Sequence, residues 1–248
     1  MNNKKQNNMR ILASSVIGHY HQTQNMPCQD CYKYASKKNK IVAVVSDGAG
    51  SAKYGKIGAK IICNTLCDIL ISSSINDIKQ KIIDAIDIAR DKLILHRLNK
   101  FKNEKGIIDF AATLVGFYYN NGKGVFFHIG DGAAIALLKN DNTIISQPEN
   151  GMFSCETYFY TMDDWKDSLR FINFEKAKNI ILMTDGVTNF AFKNNFEELE
   201  TGFIYPISNF LQQQTNRSKA LKALNNTLSN PKAQKINSDD KTFLWAQL

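Results

Sequence analysis

A chain of 248 residues with 44% hydrophobic and 22% charged residues is long enough to bury a substantial core. Its apolar runs are too short to span a bilayer, and its N-terminus lacks the apolar segment of a secretory signal, so we expect a cytoplasmic protein with no membrane partner. The net charge of +8 favours anionic partners, but no dense Lys/Arg tract with interleaved aromatic residues indicates nucleic-acid binding.

The chain carries no linker rich in Pro, Gly or Ser, so residues 1–248 are expected to form one domain, with residues 1–8 frayed at its start. Apolar and β-branched runs predict strands at Ile41–Ser46, Thr113–Tyr119, Val125–Ile129, Ala133–Leu138, Ile180–Thr184 and Thr242–Gln247. The connections "NNGKG" and "GDG" inside this set are of the hairpin type. They predict an antiparallel meander in the middle of the chain.

Two helical patterns separate the first predicted strand from the meander. The first places Ile57, Ile61, Leu66, Ile69 and Leu70 on one side, and the second places Ile78, Ile82, Ala85, Ile86, Ala89 and Leu93 on one face. Ser74 with Asp77 has the pattern of a capping box at the start of the second helix. Further helices are predicted at Phe196–Gln214 and Arg217–Leu228, and the aperiodic range 149–178 is predicted to be a flap-like insertion.

Acidic residues recur where predicted strands meet turns. They are Asp47 in "VVSDGAG", Asp131 in "FHIGDGAA", Asp185 in "ILMTDGVTN" and Asp239–Asp240 in "INSDDKTFLW". A single Asp-Gly pair after a strand is typical of a turn. Three of the four places are Asp-Gly after a strand, and the fourth precedes one. Strand ends can converge at one edge of a sheet protein, where carboxylates would repel one another unless they share hard cations such as Mg²⁺ or Mn²⁺.

Other candidate residues leave alternatives open. Cys28-x-x-Cys31 could seed a zinc or redox site, but Cys63 and Cys67 lie at i, i+4 in an apolar helix and fit buried free thiols. The five cysteines, the fifth being Cys155, leave one unpaired and favour a reducing compartment. His19 and His21 alternate as on a strand and could bind phosphate or metal, or lie on the surface.

In their order and spacing these motifs resemble the metal-dependent protein phosphatases of type 2C, in particular the compact bacterial branch. The resemblance covers most of the chain. Its motifs are "GHYHQTQNMPCQD", "VVSDGAGSAKYG", "AATLVGFYY" with "VFFHIGDGAAIAL", "PENGMFSCETYF", "IILMTDGVTN" and "SDDKTFLWA". It implies an α+β fold, a four-layer α-β-β-α sandwich of two antiparallel sheets flanked by helical hairpins, with a centre of two Mn²⁺ or Mg²⁺ ions at one edge.

The resemblance also assigns site residues. Asp47 would bridge both metals with help from the Gly48 carbonyl, Asp185 and Asp239 would complete the first metal's ligands, and Asp131 corresponds to an acid that helps to hold a third ion. Asp30 corresponds to the acid that orients or deprotonates the nucleophilic water. Gln29 stands where many members have a metal-binding Glu, and Asn25 where many have a phosphate-binding Arg, so His21 is the expected substitute for that Arg.

The resemblance implies hydrolysis of phosphoserine or phosphothreonine in proteins by metal-activated water, with a cognate Ser/Thr kinase or its target as partner. Gln29 and Asn25 motivate an alternative, a catalytically weak or inactive phosphatase-like module that binds a phosphoprotein. A metal nuclease would also place acids at strand ends. The flap at 149–178 is expected to carry substrate choice, unless its aromatic residues only pack a small core of their own.

Overall fold

The structure is a computed structural model, described here for residues 9–100, 106–149 and 157–248. The strands are β1 (Arg10–Val16), β2 (Cys31–Lys37), β3 (Lys40–Ser46), β4 (Leu114–Asn120), β5 (Lys123–Ile129), β6 (Ala133–Leu138), β7 (Thr143–Ser146), β8 (Arg170–Glu175), β9 (Ala177–Met183), β10 (Phe192–Lys193), β11 (Glu198–Leu199) and β12 (Lys241–Gln247). The α-helices are α1 (His19–Thr23), α2 (Gly55–Leu70), α3 (Ile78–Lys100), α4 (Asp185–Ala191), α5 (Thr201–Gln213), α6 (Arg217–Leu228) and α7 (Pro231–Ile236).

Two five-stranded antiparallel sheets form the centre of the fold. One has the order β2-β3-β4-β5-β8 and the other the order β1-β12-β9-β6-β7. Buried residues of both sheets, such as Val45, Phe117 and Leu244, form the core between them. Alternate residues of the first sheet, such as Val44 and Phe127, pack under α2 and α3, and those of the second, such as Ile181 and Trp245, pack under α5 and α6. The expected four-layer α-β-β-α sandwich is confirmed.

The six predicted strands are confirmed as β3, β4, β5, β6, β9 and β12, with ends that differ by a few residues. The larger misses are β1, β2, β7 and β8, which occupy the four edges of the two sheets. Their sequences mix polar and apolar residues. β2, β7 and β8 are only partly buried at the sheet edges, whereas β1 is largely buried but contains Arg10, Ser14 and Ser15. The apolar run that identifies a central strand is therefore missing from them.

The predicted hairpin at "GDG" is wrong, and the meander stops at β5. β5 pairs with β4 and β8 in one sheet, whereas β6 pairs with β7 and β9 in the other. Gly130 has a φ of 107°, which favours glycine, and a Cβ on Gly132 would lie 2.6 Å from the Met183 carbonyl oxygen. The chain therefore crosses between the sheets here and leaves Asp131 at the end of the sandwich.

The helix predictions are confirmed in their main lines and wrong at several ends. All six residues predicted for the buried face of α3 are buried, whereas on α2 Leu66 and Leu70 are buried and Ile57, Ile61 and Ile69 lie at the border of the core. The capping box is wrong: α3 begins at Ile78, and Ser74 Oγ accepts a bond from the Asn76 amide instead. The predicted helix at 196–214 begins only at Thr201, where the Glu200 side chain accepts from the Gly202 amide.

The predicted flap is only partly irregular. Its described residues include β8, which is an edge strand, so the insertion is shorter than 149–178. Tyr160 and Trp165 pack into the core of α2 and α3 and not into a core of their own. Phe153 and Cys155 lie outside the described residues. No helix in the described ranges has both the length and the apolar character needed to cross a membrane.

Candidate metal centre and active site

Four acids from four different chain segments line one cavity of about 580 Å³. Asp47 follows β3, Asp131 lies between β5 and β6, Asp185 opens α4 after β9, and Asp239 precedes β12. The cavity lies where the ends of both sheets meet, so the sandwich itself brings the acids together. The other lining residues are Ala49, Gly50, Ser51, Thr157, Tyr158, Phe159 and Met162.

The acids are costly to keep charged in this cavity. Burial raises the pKa of Asp47 well above its ordinary value, and neighbouring carboxylates, first that of Asp185, raise it further. Burial likewise raises the pKa of Asp185, with Asp131 the first of the charges that add to it. For Asp131 burial also raises the pKa, although the hydrogen bond from Thr157 opposes the shift. The cluster therefore favours either protons or added positive charge.

Carboxylate oxygens without a hydrogen-bond partner favour added positive charge over protons. Oδ1 of Asp131, Oδ1 of Asp185 and Oδ1 of Asp30 are buried and have no hydrogen-bond partner within the described residues. Carboxylate oxygens with free lone pairs are the ligands that Mg²⁺ and Mn²⁺ prefer. In the described ranges no three acidic, histidine or cysteine side chains are already arranged as a closed ligand set. The donor chemistry fits hard divalent cations, and the side chains would have to close around them.

Asp30 lies behind the cavity, in a buried network between the sheets. Thr184 Oγ1 donates to Asp30 Oδ2 at 2.8 Å, and Thr242 Oγ1 donates to the same oxygen at 2.6 Å. Burial raises the pKa of Asp30 to about 7, although the bonds from Thr242 and Thr184 oppose the shift. Since Oδ2 is held by two hydroxyls and Oδ1 is free, this carboxylate is oriented and able to exchange a proton near neutral pH.

Gln29 and Gly48, each expected near the metals, contact each other. The Gln29 side chain is buried, and with its amide turned so that the nitrogen faces the loop, this nitrogen donates to the Gly48 carbonyl at 2.8 Å and to the Ala49 carbonyl at 3.2 Å. A Cβ on Gly48 would lie 2.3 Å from the Gly55 backbone, so the loop after β3 needs glycine there. In this arrangement Gln29 supports the loop that carries Asp47.

His21 does not take the place expected of it. It lies on α1 and not on a strand, is only 3% exposed, and its Nδ1 is 2.9 Å from Oδ2 of the buried Asp240. It is not among the described residues that line the cavity, and its role in binding phosphate stays a prediction. Asn25 is exposed on a turn with a φ of 52° and also lies outside the cavity lining.

Lys241 and Thr157 were missed in the sequence, and Asp240 was noted only as the neighbour of Asp239, without a role. Asp240 accepts from the Gly18 and Gln29 amides at 2.7 and 2.5 Å and so fixes the segment that carries Asp30. Lys241 is buried and donates to the carbonyl oxygens of Asn237 and Asp239, each at 2.7 Å. Thr157 donates to Asp131 Oδ2 at 2.7 Å. Asp240 and Lys241 stand beside Asp239 in "SDDKTF", and that adjacency is the only sequence signal for them.

The four cysteines within the described ranges form no second site. Cys28, Cys31, Cys63 and Cys67 are free, and the buried thiols of Cys63 and Cys67 donate to backbone carbonyls of β2. Their thiols therefore fill the space between α2 and β2. The zinc alternative for Cys28-x-x-Cys31 has no ligand set among the described residues.

The two sheets between layers of helices, with four acids in one cavity at their ends, define a class of protein, the four-layer phosphatase-type sandwich. The pattern of the family described as Protein phosphatase 2C matches residues 17–229, and the chain belongs to this family. The match ends before Asp239 and β12. No curated protein matches the chain.

Three solved structures illustrate the likeness in fold. The serine/threonine phosphatase Stp1 from Staphylococcus aureus is 14% identical with a TM-score of 0.66, covering 97% of this chain and 95% of its own. The catalytic domain of the serine threonine protein phosphatase PstP, in complex with two manganese ions, is 14% identical with a TM-score of 0.67, covering 96% and 97%. RsbX in complex with magnesium is 14% identical with a TM-score of 0.58, covering 97% and 95%. At these identities the likeness establishes the fold alone. Two of the three structures contain divalent ions.

Proposed function

We propose that the chain hydrolyses phosphoserine or phosphothreonine in phosphorylated proteins by direct attack of water, with Mn²⁺ or Mg²⁺ as cofactor. The observation that carries the proposal is the convergence of Asp47, Asp131, Asp185 and Asp239 on one cavity, with buried carboxylate oxygens left without partners. Membership in the Protein phosphatase 2C family supports it. The partner is then a cytoplasmic phosphoprotein, a Ser/Thr kinase or its target.

Asp47, Asp185 and Asp239 would hold the ions, with the Gly48 carbonyl and Asp131 as further donors. Divalent cations bound there neutralise the phosphate charge and lower the pKa of water. Asp30 takes the proton of the attacking water at Oδ1, because Oδ2 is fixed by Thr184 and Thr242. The water oxygen bonds to phosphorus, the bond from phosphorus to the Ser or Thr oxygen breaks, and the released alkoxide takes up a proton from solvent, while Asp30 returns its proton to solvent.

The test is hydrolysis of a phosphoserine peptide and of a small aryl phosphate with Mn²⁺. We expect Asp47→Asn and Asp185→Asn each to lower kcat/KM roughly a hundredfold or more, because several kcal/mol of charge stabilisation are lost. The matched control is Asp167→Asn, an exposed acid outside the cavity lining, which should retain full activity. Activity that survives both cavity substitutions would overturn the proposal, and hydrolysis of DNA or RNA instead would favour the nuclease.

One observation favours the second candidate, a phosphatase-like module that binds without turnover. No Lys, Arg or His is found among the described residues that line the cavity, so no side-chain cation is in place for the phosphate. Calorimetry separates the candidates, because a binding module should take up a phosphopeptide with at most one weak Mn²⁺ site and no release of phosphate.

A further inference from the structure

A second cavity, of about 590 Å³, adjoins the acidic cavity, and Met162 lines both. Ile107 and Ile108 form its apolar part, and Asp163 and Asp164 are its exposed acids. On the near side, Tyr158 and Phe159 line the acidic cavity next to Met162. An extended chain that leaves the acidic cavity over Met162 would therefore meet an apolar surface and then two carboxylates.

The segment 160–162, which we call the wall between the cavities, is held in place from both sides. The Arg90 guanidinium donates to the carbonyl oxygens of Tyr160 and Met162 at 2.8 and 2.6 Å. On the opposite side, Tyr160 Oη donates to the Gly58 carbonyl at 2.9 Å. Because its backbone is fixed by α2 and α3, the wall is preorganised and a ligand does not have to order it.

The second cavity also contains an unused hydrogen-bonding group. Thr161 lines it, is only 2% exposed, and its Oγ1 has no hydrogen-bond partner in the described part of the chain. A buried hydroxyl without a partner costs free energy, and a bound peptide group can supply the missing bond. This observation is independent of the acids at the rim.

We propose that substrates of this site carry apolar and basic residues on one side of the phosphorylated residue, and that these residues occupy the second cavity. The proposal rests on the proposed function of the acidic cavity. Apolar side chains fit against Met162, Ile107 and Ile108, and Lys or Arg pairs with Asp163 and Asp164. The Asp163 side chain is fully exposed, and its Oδ1 lies 3.6 Å from Arg90 Nη2. The Arg90 guanidinium already donates to two backbone carbonyls. An acidic flank would be repelled.

The experiment compares phosphoserine peptides that differ only in the flank, leucine with lysines against leucine with glutamates, placed on either side. We expect kcat/KM to be higher for the basic flank on one side by roughly threefold to tenfold at low salt, falling at high salt. The double variant Asp163→Asn with Asp164→Asn should show equal kcat/KM for the two flanks, while the control Asp167→Asn should keep the preference for the basic flank. The proposal is overturned if the double variant keeps the preference of the wild type, or if the wild type has equal kcat/KM for basic and acidic flanks.

Thr161→Val tests the hydroxyl. If a peptide group bonds to Oγ1, kcat/KM for the basic peptide falls about fivefold, while the thermal midpoint of the free protein stays level or rises because an unpartnered buried hydroxyl is gone. An equal fall for peptide and aryl phosphate would contradict the proposal, since the aryl phosphate is too small to reach the second cavity.

Failure of the proposed function is distinguishable. A protein that hydrolyses the aryl phosphate but shows no preference among peptides retains the function and refutes the second cavity. If nothing is hydrolysed with any divalent ion, fluorescence anisotropy of the same labelled peptides still measures the flank preference. Equal affinities for basic and acidic flanks would then refute the proposal by themselves.

Discussion

Thr184 and Asp30 are 154 positions apart in the sequence, yet Thr184 Oγ1 donates a 2.8 Å hydrogen bond to the buried Asp30 carboxylate. The same threonine oxygen accepts from the Thr242 amide at 3.0 Å. One side chain thus joins the segment before β2 to the ends of β9 and β12. The acid proposed to handle the proton of water is oriented by strands of the opposite sheet.

Thr184→Val should therefore destabilise the fold, because the buried Thr242 amide loses its acceptor and Asp30 loses a donor. We expect the free energy of unfolding in urea to fall by about 1–3 kcal/mol. Thr227→Val is the matched control, since Thr227 is exposed and its Oγ1 donates only to a carbonyl of its own helix, α6. A control as costly as Thr184→Val would contradict the buried network as the cause.

Removal of divalent cations should expose the repulsion within the acidic cavity. In chelator we expect Asp185→Asn to unfold at a higher temperature than the wild type, because burial and neighbouring carboxylates disfavour the charged form. Mn²⁺ should then raise the midpoint of the wild type and barely change that of the variant. Thermal unfolding with and without Mn²⁺ measures both, and an Mn²⁺ shift that survives in Asp185→Asn would argue against a role of this residue in binding the ion.

The interface between the sheets should depend on pH through His128. Its Nδ1 lies 2.8 Å from Ser146 Oγ, so the pair links β5 of one sheet to β7 of the other. Burial lowers the pKa of His128 well below its ordinary value, and the charge of Arg170 lowers it further. The fold thus favours the neutral ring, and the unfolded chain binds one proton more once the pH falls below about 6.5.

Stability from this residue is present above about pH 6.5 and is lost at about 1.4 kcal/mol per pH unit below it, down to the folded pKa. Urea unfolding of the wild type and His128→Asn between pH 5 and 7.5 measures this. The variant should be less stable at pH 7.5, where its packing is impaired, and the difference between the two proteins should shrink as the pH falls. Buried acids with raised pKa act in the opposite direction in both proteins, so a difference that stays constant with pH would count against His128.

Two glycines beside the acids should differ sharply in their tolerance of a methyl group. A Cβ on Gly186 would lie 1.8 Å from the Asp240 carbonyl oxygen, whereas a Cβ on Gly50 would meet nothing within 4 Å. We expect Gly186→Ala to cost about 1–3 kcal/mol or more of unfolding free energy, because backbone must move, and Gly50→Ala to be nearly neutral. Equal unfolding midpoints for the two variants would contradict the close approach of α4 to Asp240, just before β12.

The sequence by itself determined much of this protein. The central strands and the buried face of α3 are local patterns, because burial on both faces of a strand gives a continuous apolar run and burial on one face of a helix gives apolar residues at helical spacing. The recurrence of acids where strands meet turns is also visible locally. The order of those motifs also sufficed for the family. The edge strands β2, β7 and β8 were missed because partial burial leaves no continuous apolar run, and β1 was missed because serines interrupt its buried run.

Only the tertiary structure decided how these pieces meet. "GDG" has the same local chemistry in a hairpin and in a crossing between sheets, and only the pairing of β6 with β9 distinguishes them. Likewise, the sequence around His21 is the same whether its ring contacts a phosphate or the buried Asp240, which lies more than two hundred positions away. Contacts between distant segments depend on which surfaces are buried together, and that is a property of the packed sandwich rather than of any short stretch of chain.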